Sequence, residues 1–534
     1  MARRAAVFLT WLLITAVGDG FLGMPSQAEA PPVEAGVAEA PESDMEDAAG
    51  LDGTAAEATV FADSPEMPPE DVAGTATTDG SPEPVPARPT PSRIRLKLDV
   101  QGEIFAPAGR DAPPLRRPIV VDARFDFVET PTDGDKEGPV ERRYIDASAE
   151  LRIDGKPRRS TLADDARTVK AVLRGTTPSP YLTDGFLSRD EMDLLETPFD
   201  PLLIDALRPS EPVVLGAAWD VAGDVIAGLL GIDTVESGGI KATFQEIVDD
   251  RASVKLSGIV DGAADGVPVH VTVDGSYTLP IDGPAAAGPV AFEHRVATLV
   301  ITLQERREAS HVAPGFDVEA RLSIARTMEL GDWAEQHAVS AAGGDARRRG
   351  NGSPGMVWQR DMAGRYDLVH DERWRMIEDG VEGLVMRFVD RGALVAQCSI
   401  TALPRSPAQS PPTIAEVERD VERSLAGQFG RIEHSSEASR SDGVRFVRVV
   451  TAGRASDLPF RWIHYVLTDA AGHRLAVTCM LEQSLEKRFG SADRELIDGI
   501  TLPATEEVSA AKTPSPSPAP PDREARLPEE SRTP

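Results

Sequence analysis

Residues 458–482 read LPFRWIHYVLTDAAGHRLAVTCMLE. Two runs rich in aliphatic and aromatic residues flank the turn at 470–472, so the stretch reads as two antiparallel strands, 460–469 and 473–481. Period-two alternation puts Leu475, Val477, Cys479 and Leu481 on one face of the second strand. An upstream run, 393–403, alternates in the same way and groups Leu394, Ala396, Cys398 and Ile400. The two cysteines of the chain, Cys398 and Cys479, therefore point into the same core. A bond between them needs an oxidising compartment and Cα atoms within about 7 Å. Two buried free thiols are the preferred reading, and a disulfide is the alternative.

Around this hairpin, residues 356–503 offer YDLV at 366–369 ahead of Trp374, a strand with Leu384, Met386 and Phe388, and the strand 393–403. Thr413 and Glu416 then form a capping box, opening a helix whose stripe is Ile414, Val417, Val421 and Leu425 and which stops at Gly430. A strand at 444–452 leads into the hairpin, and a short terminal helix carries Phe489, Leu496 and Ile500. This order, with GVRFVRVVTAG at 443–453 and FGSADRELIDGITL at 489–502, resembles the PsbP/DcrB-like α/β/α superfamily. The resemblance implies an antiparallel sheet with helices on both faces and an accessory or binding role. It carries over no catalytic residue, since the group shares no catalytic motif. The lipidation cysteine of the envelope lipoproteins in the group is missing, so no lipid anchor is implied.

The preceding block, 92–330, opens with strict alternation at Ile94, Leu96, Leu98 and Val100, a half-buried strand. Further strands are expected around Phe125 and Phe127, at 144–153 and at 169–173. Ser188 with Glu191 forms a capping box, and Asp200 before Pro201 is an N-cap with proline at the first helical position. Short helices are thus expected at 189–196 and 201–207, with a third after Trp219 through Val221, Val225, Leu229 and Leu230. Strands at 240–247, 252–260, 267–279, 291–307 and 316–330 close the block. The run 291–307, with Ala297, Leu299, Ile301 and Leu303 on one face, is long enough to imply a bent sheet. The topology is similar to that of periplasmic lipoprotein carriers, and VVLGAAW at 213–219 looks like a segment of secreted envelope proteins. An apolar or amphipathic ligand, or a partner segment, would sit in the concavity, unless helices near Leu203 and Leu229 fill it. The fold class is α+β with two domains: a curved antiparallel sheet with short helices, then a PsbP/DcrB-like antiparallel sheet with helices on both faces.

The remaining segments differ in composition. Arg3 and Arg4 precede an apolar run at 5–17, and Ala28-Glu29-Ala30 follows Pro25, the layout of a secretory signal over 1–30 cleaved after Ala30. The run falls short of the roughly 20 residues of a spanning helix, so a retained anchor is the alternative. Residues 31–91 read as a disordered acidic Pro/Ala-rich spacer, 331–355 as a flexible Gly/Arg linker and 504–534 as a disordered Pro-rich tail. Over all 534 residues, 56 Lys+Arg face 87 Asp+Glu for a net charge of −31, which excludes a nucleic-acid partner because phosphate binding needs clustered cations.

Eight histidines, at 270, 294, 311, 337, 370, 434, 464 and 473, show no metal-ligand spacing. His370 beside Asp371 and Glu372 reads as a solvated strand-end cluster, and His464 as a polar surface or hydrogen-bonded interior residue. Asp133, Asp135, Glu137 and Gly138 imitate half a calcium loop, but Tyr144 stands where a bidentate Glu is needed, so the stretch reads as an acidic turn. Ser353, in the linker, has no rigid support for a nucleophile, and Trp219, Trp374 and Trp462 read as packing residues. No catalytic, cofactor-binding or metal residue is assigned and no cofactor is expected. The chain is expected to be a secreted or periplasmic noncatalytic binding or accessory protein, of the bacterial envelope or extracellular space. It would engage a partner protein or an apolar ligand, with no stable membrane insertion after signal cleavage. The alternative is a hydrolase whose site assembles from distant residues.

Overall fold

The alternation that begins at Ile94 runs through a whole sheet. The computed structural model describes residues 91–106, 113–132, 138–281, 288–292, 295–310, 312–327, 350–405 and 412–502. The expected signal, the spacer up to residue 90, linker residues 331–349 and the tail lie outside these, as do Asp133, Asp135, Glu137, His294, His311 and His337. The first block contains β1 (Ser92–Ala106), β2 (Leu115–Pro131), β3 (Val140–Ile153), β4 (Lys156–Thr161), β5 (Thr168–Arg174), β6 (Thr177–Tyr181) and β7 (Leu187–Ser188). Helices α1 (Arg189–Leu195) and α2 (Pro201–Ile204), β8 (Ala218–Asp220) and α3 (Gly223–Leu230) follow. The block closes with β9 (Thr234–Val248), β10 (Arg251–Ala264), β11 (Val267–Pro280), β12 (Thr298–Arg307) and β13 (Gly315–Thr327).

All but β7 join one twelve-stranded antiparallel sheet, ordered β6-β5-β3-β2-β1-β13-β12-β11-β10-β9-β8, with β4 on β3. Two meanders grow outward from the pairing of the first strand with the last: Leu96 lies between Phe125 of β2 and Ile324 of β13. One face of these strands is aliphatic and buried, and the other carries short-range pairs such as Lys97–Asp99, Arg124–Asp122 and Arg321–Glu319. The three helices sit in the crossover between the meanders and pack on the buried face in a single core that includes Met192, Leu203 and Leu229. Tyr277 Oη of β11 and Trp219 Nε1 both donate to the Leu207 carbonyl, at 2.7 and 3.0 Å. These bonds tie the helical crossover to the sheet.

Both helix starts follow the sequence. Ser188 and Glu191 exchange side-chain and backbone hydrogen bonds, and Asp200 Oδ1 accepts from Leu202 N at 2.9 Å. Asp200 also receives Nη1 and Nη2 of Arg142 at 2.8 and 2.6 Å, while Arg142 Nε reaches Glu129 at 3.1 Å, all three side chains being buried. The expected strand 291–307 is shorter than the sequence suggests. Only Thr298–Arg307 is strand, because the Val296 N–H leaves the ladder for Asp205 Oδ1 at 2.9 Å, and Val290 and Phe292 form isolated bridges. At 10 residues the strand is no longer than its neighbours, so its length does not require the sheet to bend there.

The second block contains β14 (Met356–Arg360), β15 (Asp367–Asp371), β16 (Trp374–Asp379), β17 (Leu384–Asp390), β18 (Ala393–Leu403), α4 (Ile414–Leu425), β19 (Phe429–Ser439) and β20 (Arg445–Ala455). It ends with β21 (Leu458–Thr468), β22 (Arg474–Glu482), α5 (Glu486–Phe489), α6 (Ala492–Asp498) and β23 (Ile500–Thr501). Its seven-stranded antiparallel sheet runs β16-β17-β18-β22-β21-β20-β19. Alternation along β20 sorts the two faces: Val447 and Val449 pack with Val417 and Val421 of α4, whereas Val450 joins the core that holds Leu496 and Ile497 of α6. Cys398 and Cys479 are directly opposite each other on β18 and β22, free and buried. The α4 helix ends at Leu425, not Gly430, and the residues beyond form the edge strand β19. Ile500, expected in the terminal helix, belongs to β23 instead.

Across the described residues the secondary structure is mostly antiparallel sheet with a few short helices. The two blocks also share a small sheet, β23-β15-β14-β7, in which β14 runs parallel to β7. Ser188 thereby pairs with Trp358 while capping α1. The last expected linker residues, 350–355, lie against the first block: Gly352 N donates to the Thr183 carbonyl at 3.2 Å. A second contact brings the β10–β11 turn onto the β17–β18 turn. There Gly266 and Gly392 have φ of 75° and 73°, and a Cβ on Gly266 would stand 2.3 Å from the Gly392 carbonyl oxygen, so neither of these two positions has room for a side chain.

Candidate functional site

The face of the seven-stranded sheet opposite α4 carries a cleft of about 430 Å³, roofed by α5 and α6. Alternation supplies its floor. Arg448 and Val450 of β20 lie opposite Tyr465 and Ile463 of β21, and Arg461 projects two residues before Ile463. Glu433 and His434 contribute from the edge strand β19, and Leu481 from β22. The roof supplies Glu486, Phe489, Gly490, Ser491, Asp493 and Arg494. Gly490, at φ 60° between α5 and α6, makes the reversal that brings the roof residues over the strands.

The ionic groups are organised in two sets. Deep in the cleft, Tyr465 Oη donates to Asp493 Oδ2 at 2.6 Å, and Arg448 donates to the same phenol oxygen at 2.8 Å and to Asp493 at 3.0 Å. Burial, and then the neighbouring Asp493, push the Tyr465 phenol far above its ordinary range. Burial alone would lower the Arg448 guanidinium, but Tyr465 and Asp493 outweigh it and hold it above its usual value. Nearer the mouth, Arg461 is held by Glu433 at 2.6 Å and by Glu486, whose side chain is 51% exposed. Arg461 Nε is buried without an acceptor, and among the described residues none engages the exposed Arg494 guanidinium. The deep set is hydrogen-bonded throughout, and in the outer set Arg494 is exposed and free of any described residue.

A second polar cluster lies at the seam between the blocks. Arg189 and Asp193 of α1 pair at 2.8 Å, and their electrostatic neighbours are Glu196, His370 of β15 and Arg375 of β16. His370 is buried, not solvated as the sequence suggests. Its Nδ1 lies 2.9 Å from the Asp371 carbonyl oxygen, while the Asp371 carboxylate goes to Arg373. Burial, helped by Arg189 and Arg375, lowers its pKa to about 4, so the ring is neutral at ordinary pH. Burial, with repulsion from Glu196, raises Asp193 well above the carboxylate range. The cluster joins α1 to the second block and has no opening to solvent at these side chains.

The other residues singled out from sequence stay apart from the cleft. His464 is interior, with Nδ1 3.1 Å from Thr478 Oγ1, and lies on the opposite face of β21 from Tyr465. Ser353 is exposed in the turn before β14, Trp374 and Trp462 are buried, and Trp219 is partly buried. Among the described residues no group of three or more His, Cys, Asp or Glu is placed to hold a metal ion, and no helix is long and apolar enough to cross a membrane. Sequence reading missed the cleft residues because Arg448, Arg461 and Asp493 are ordinary charged residues at ordinary strand and helix positions. The only available signal was charge at positions that alternation assigns to the buried face.

No protein-family model and no curated protein matches the chain. Among solved structures, the PsbP protein (CyanoP) of Synechocystis sp. PCC 6803 is similar over 31% of this chain and 100% of its own, at 12% identity and a TM-score of 0.25. DynF from the dynemicin biosynthesis pathway of Micromonospora chersina aligns over 47% of this chain and 91% of its own, at 11% identity and a TM-score of 0.12. OprB of Pseudomonas putida aligns over 74% and 92%, at 6% identity and a TM-score of 0.11.

Proposed function

We propose that the protein is an exported, noncatalytic accessory protein whose second block, a PsbP/DcrB-like module, engages a partner protein through the cleft between its sheet and α5–α6. The observation that carries this reading is the cleft itself. It combines a satisfied Arg448–Tyr465–Asp493 floor with an outer rim whose guanidinium donors are only partly used. A preorganised base under donors with spare capacity suits recognition. The signal-like segment 1–30 supports export, and the order of strands and helices supports the module assignment. An apolar ligand in the first block is less well supported, because Leu203 and Leu229, the residues expected to gate it, are buried in the core. The test is a photo-crosslinking amino acid at position 491 on the cleft roof, irradiated in the native host, with position 97 on the outer face of the large sheet as control. A discrete adduct from 491 and none from 97 is expected; equal labelling from both, or none from 491, defeats the proposal.

A further inference from the structure

The rim of the cleft has a chemical preference of its own. Arg461 is clamped between two carboxylates of unequal standing. Glu433 is itself largely buried, whereas Glu486 reaches in from the first turn of α5 and is half exposed. Glu486 thus occupies the outer edge of a guanidinium whose Nε–H still lacks an acceptor. Arg494 lines the same cleft from its roof, with its guanidinium unengaged by any described residue, and His434 faces the cleft from the β19 edge. Planar guanidinium forks match carboxylates in two parallel hydrogen bonds, and partial burial strengthens such contacts. The net charge of −31 does not oppose this at contact range, since screening confines the overall field to about 8 Å at physiological salt.

Resting on the partner-binding reading above, we propose that the partner is recognised through a side-chain carboxylate of an acidic segment. That carboxylate takes the place of Glu486 on Arg461 and is completed by Arg494. Glu486 is then an internal stand-in for the ligand, and removing its charge frees the site.

The experiment uses the full chain and a pentaglutamate peptide, with inorganic phosphate as a second probe, followed by calorimetry and by tryptophan fluorescence at low and physiological salt. The peptide is expected to bind the wild-type protein weakly and the Glu486→Gln variant about tenfold more tightly, since a competing charge-assisted contact has been removed. Arg494→Ala should weaken binding about fivefold, with the loss shrinking as salt rises. A purely structural role for Glu486 predicts no gain in affinity, so the gain separates the two explanations. Phosphate binding with the same variant pattern, but no peptide binding, overturns the carboxylate assignment in favour of a phosphoryl group. Absence of binding by both wild type and Glu486→Gln overturns the proposal. A surviving crosslink from position 491 would then show that partner binding stands without it.

Discussion

Replacing Asp200 by alanine tests whether the crossover helices are fixed to the large sheet by charge. Asp200 has two tasks: its Oδ1 caps α2 through Leu202 N, and both its oxygens receive Arg142. Loss of a cap costs about 1 kcal/mol. Removing one partner of a buried ion pair costs about 3–5 kcal/mol, because the other charge stays buried. Glu129, at 3.1 Å from Arg142 Nε, still offers partial compensation, which places the pair contribution at the low end. The expected loss is therefore about 4 kcal/mol, a large share of the roughly 5–15 kcal/mol that folded proteins have. Urea unfolding followed by far-ultraviolet circular dichroism measures it. Asp200→Asn, which keeps a capping oxygen, should fall between wild type and Asp200→Ala. The triple variant Glu129→Gln/Arg142→Met/Asp200→Leu should be more stable than Asp200→Ala alone, since no member of the buried Glu129–Arg142–Asp200 group is then left charged. A loss below about 1 kcal/mol for Asp200→Ala, or a triple variant no better than the single, refutes the reasoning.

Three further outcomes are expected. Glu305, buried at the end of β12 with Oε1 unpaired, has its pKa raised by burial to about 7. The folded state thus loses stability as pH rises from 4.5 through 7, and Glu305→Gln should stabilise by up to about 3 kcal/mol at pH 8 but not at pH 4; equal effects at both pH values would contradict this. His370 behaves oppositely: with its pKa lowered to about 4, the unfolded chain takes up the proton first, so stability is full above pH 6.5 and falls as pH drops toward 4, and His370→Gln should flatten that limb in pH-dependent urea melts. Thiol titration should find two reactive groups in denaturant and none in the native protein, because Cys398 and Cys479 are buried; fewer than two in denaturant, restored by reduction, would show that these opposed residues are bonded.

Much of the architecture was legible because it rests on local rules. Ile94 to Val100, the capping boxes at Ser188 and Thr413, and the turn at 470–472 each specify their element within a few residues, and the structure keeps all of them. The failures have tertiary causes. β19 is an edge strand with mostly exposed or half-exposed polar residues, so it lacks the apolar period that marks β20 and β21. The strand expected from residue 291 is cut short by Asp205, a residue 91 positions away from Val296. β7 and β14 are too short to announce themselves, and their pairing depends on the approach of the two blocks. The cleft was illegible for a related reason: Arg448 and Asp493 are 45 residues apart, and only the Gly490 reversal brings the helix carrying one over the strand carrying the other.

The buried ion pairs bear on whether the first block is a container. Three helical segments of the crossover carry an arginine–aspartate pair: Arg189 with Asp193 in α1, Arg142 with Asp200 at the start of α2, and Arg326 with Asp205 in the 3₁₀ turn that follows. Two of the three reach from the helical segment to a strand of the large sheet, β3 and β13, and Arg326 also donates to the Pro201 carbonyl at 3.1 Å. Such pairs add little net stability compared with apolar packing, but parting them strands a buried charge at a cost of about 3–5 kcal/mol each. Swinging α2 away from the sheet would break the Arg142 and Arg326 locks together and expose the Leu203 core as well. A lid that opens for a ligand has to be drawn from the weakly held parts of a structure. Helices α1 and α2 are held by these pairs as well as by the core, which speaks against the first block as an opening container and agrees with the proposal that places recognition in the cleft of the second block.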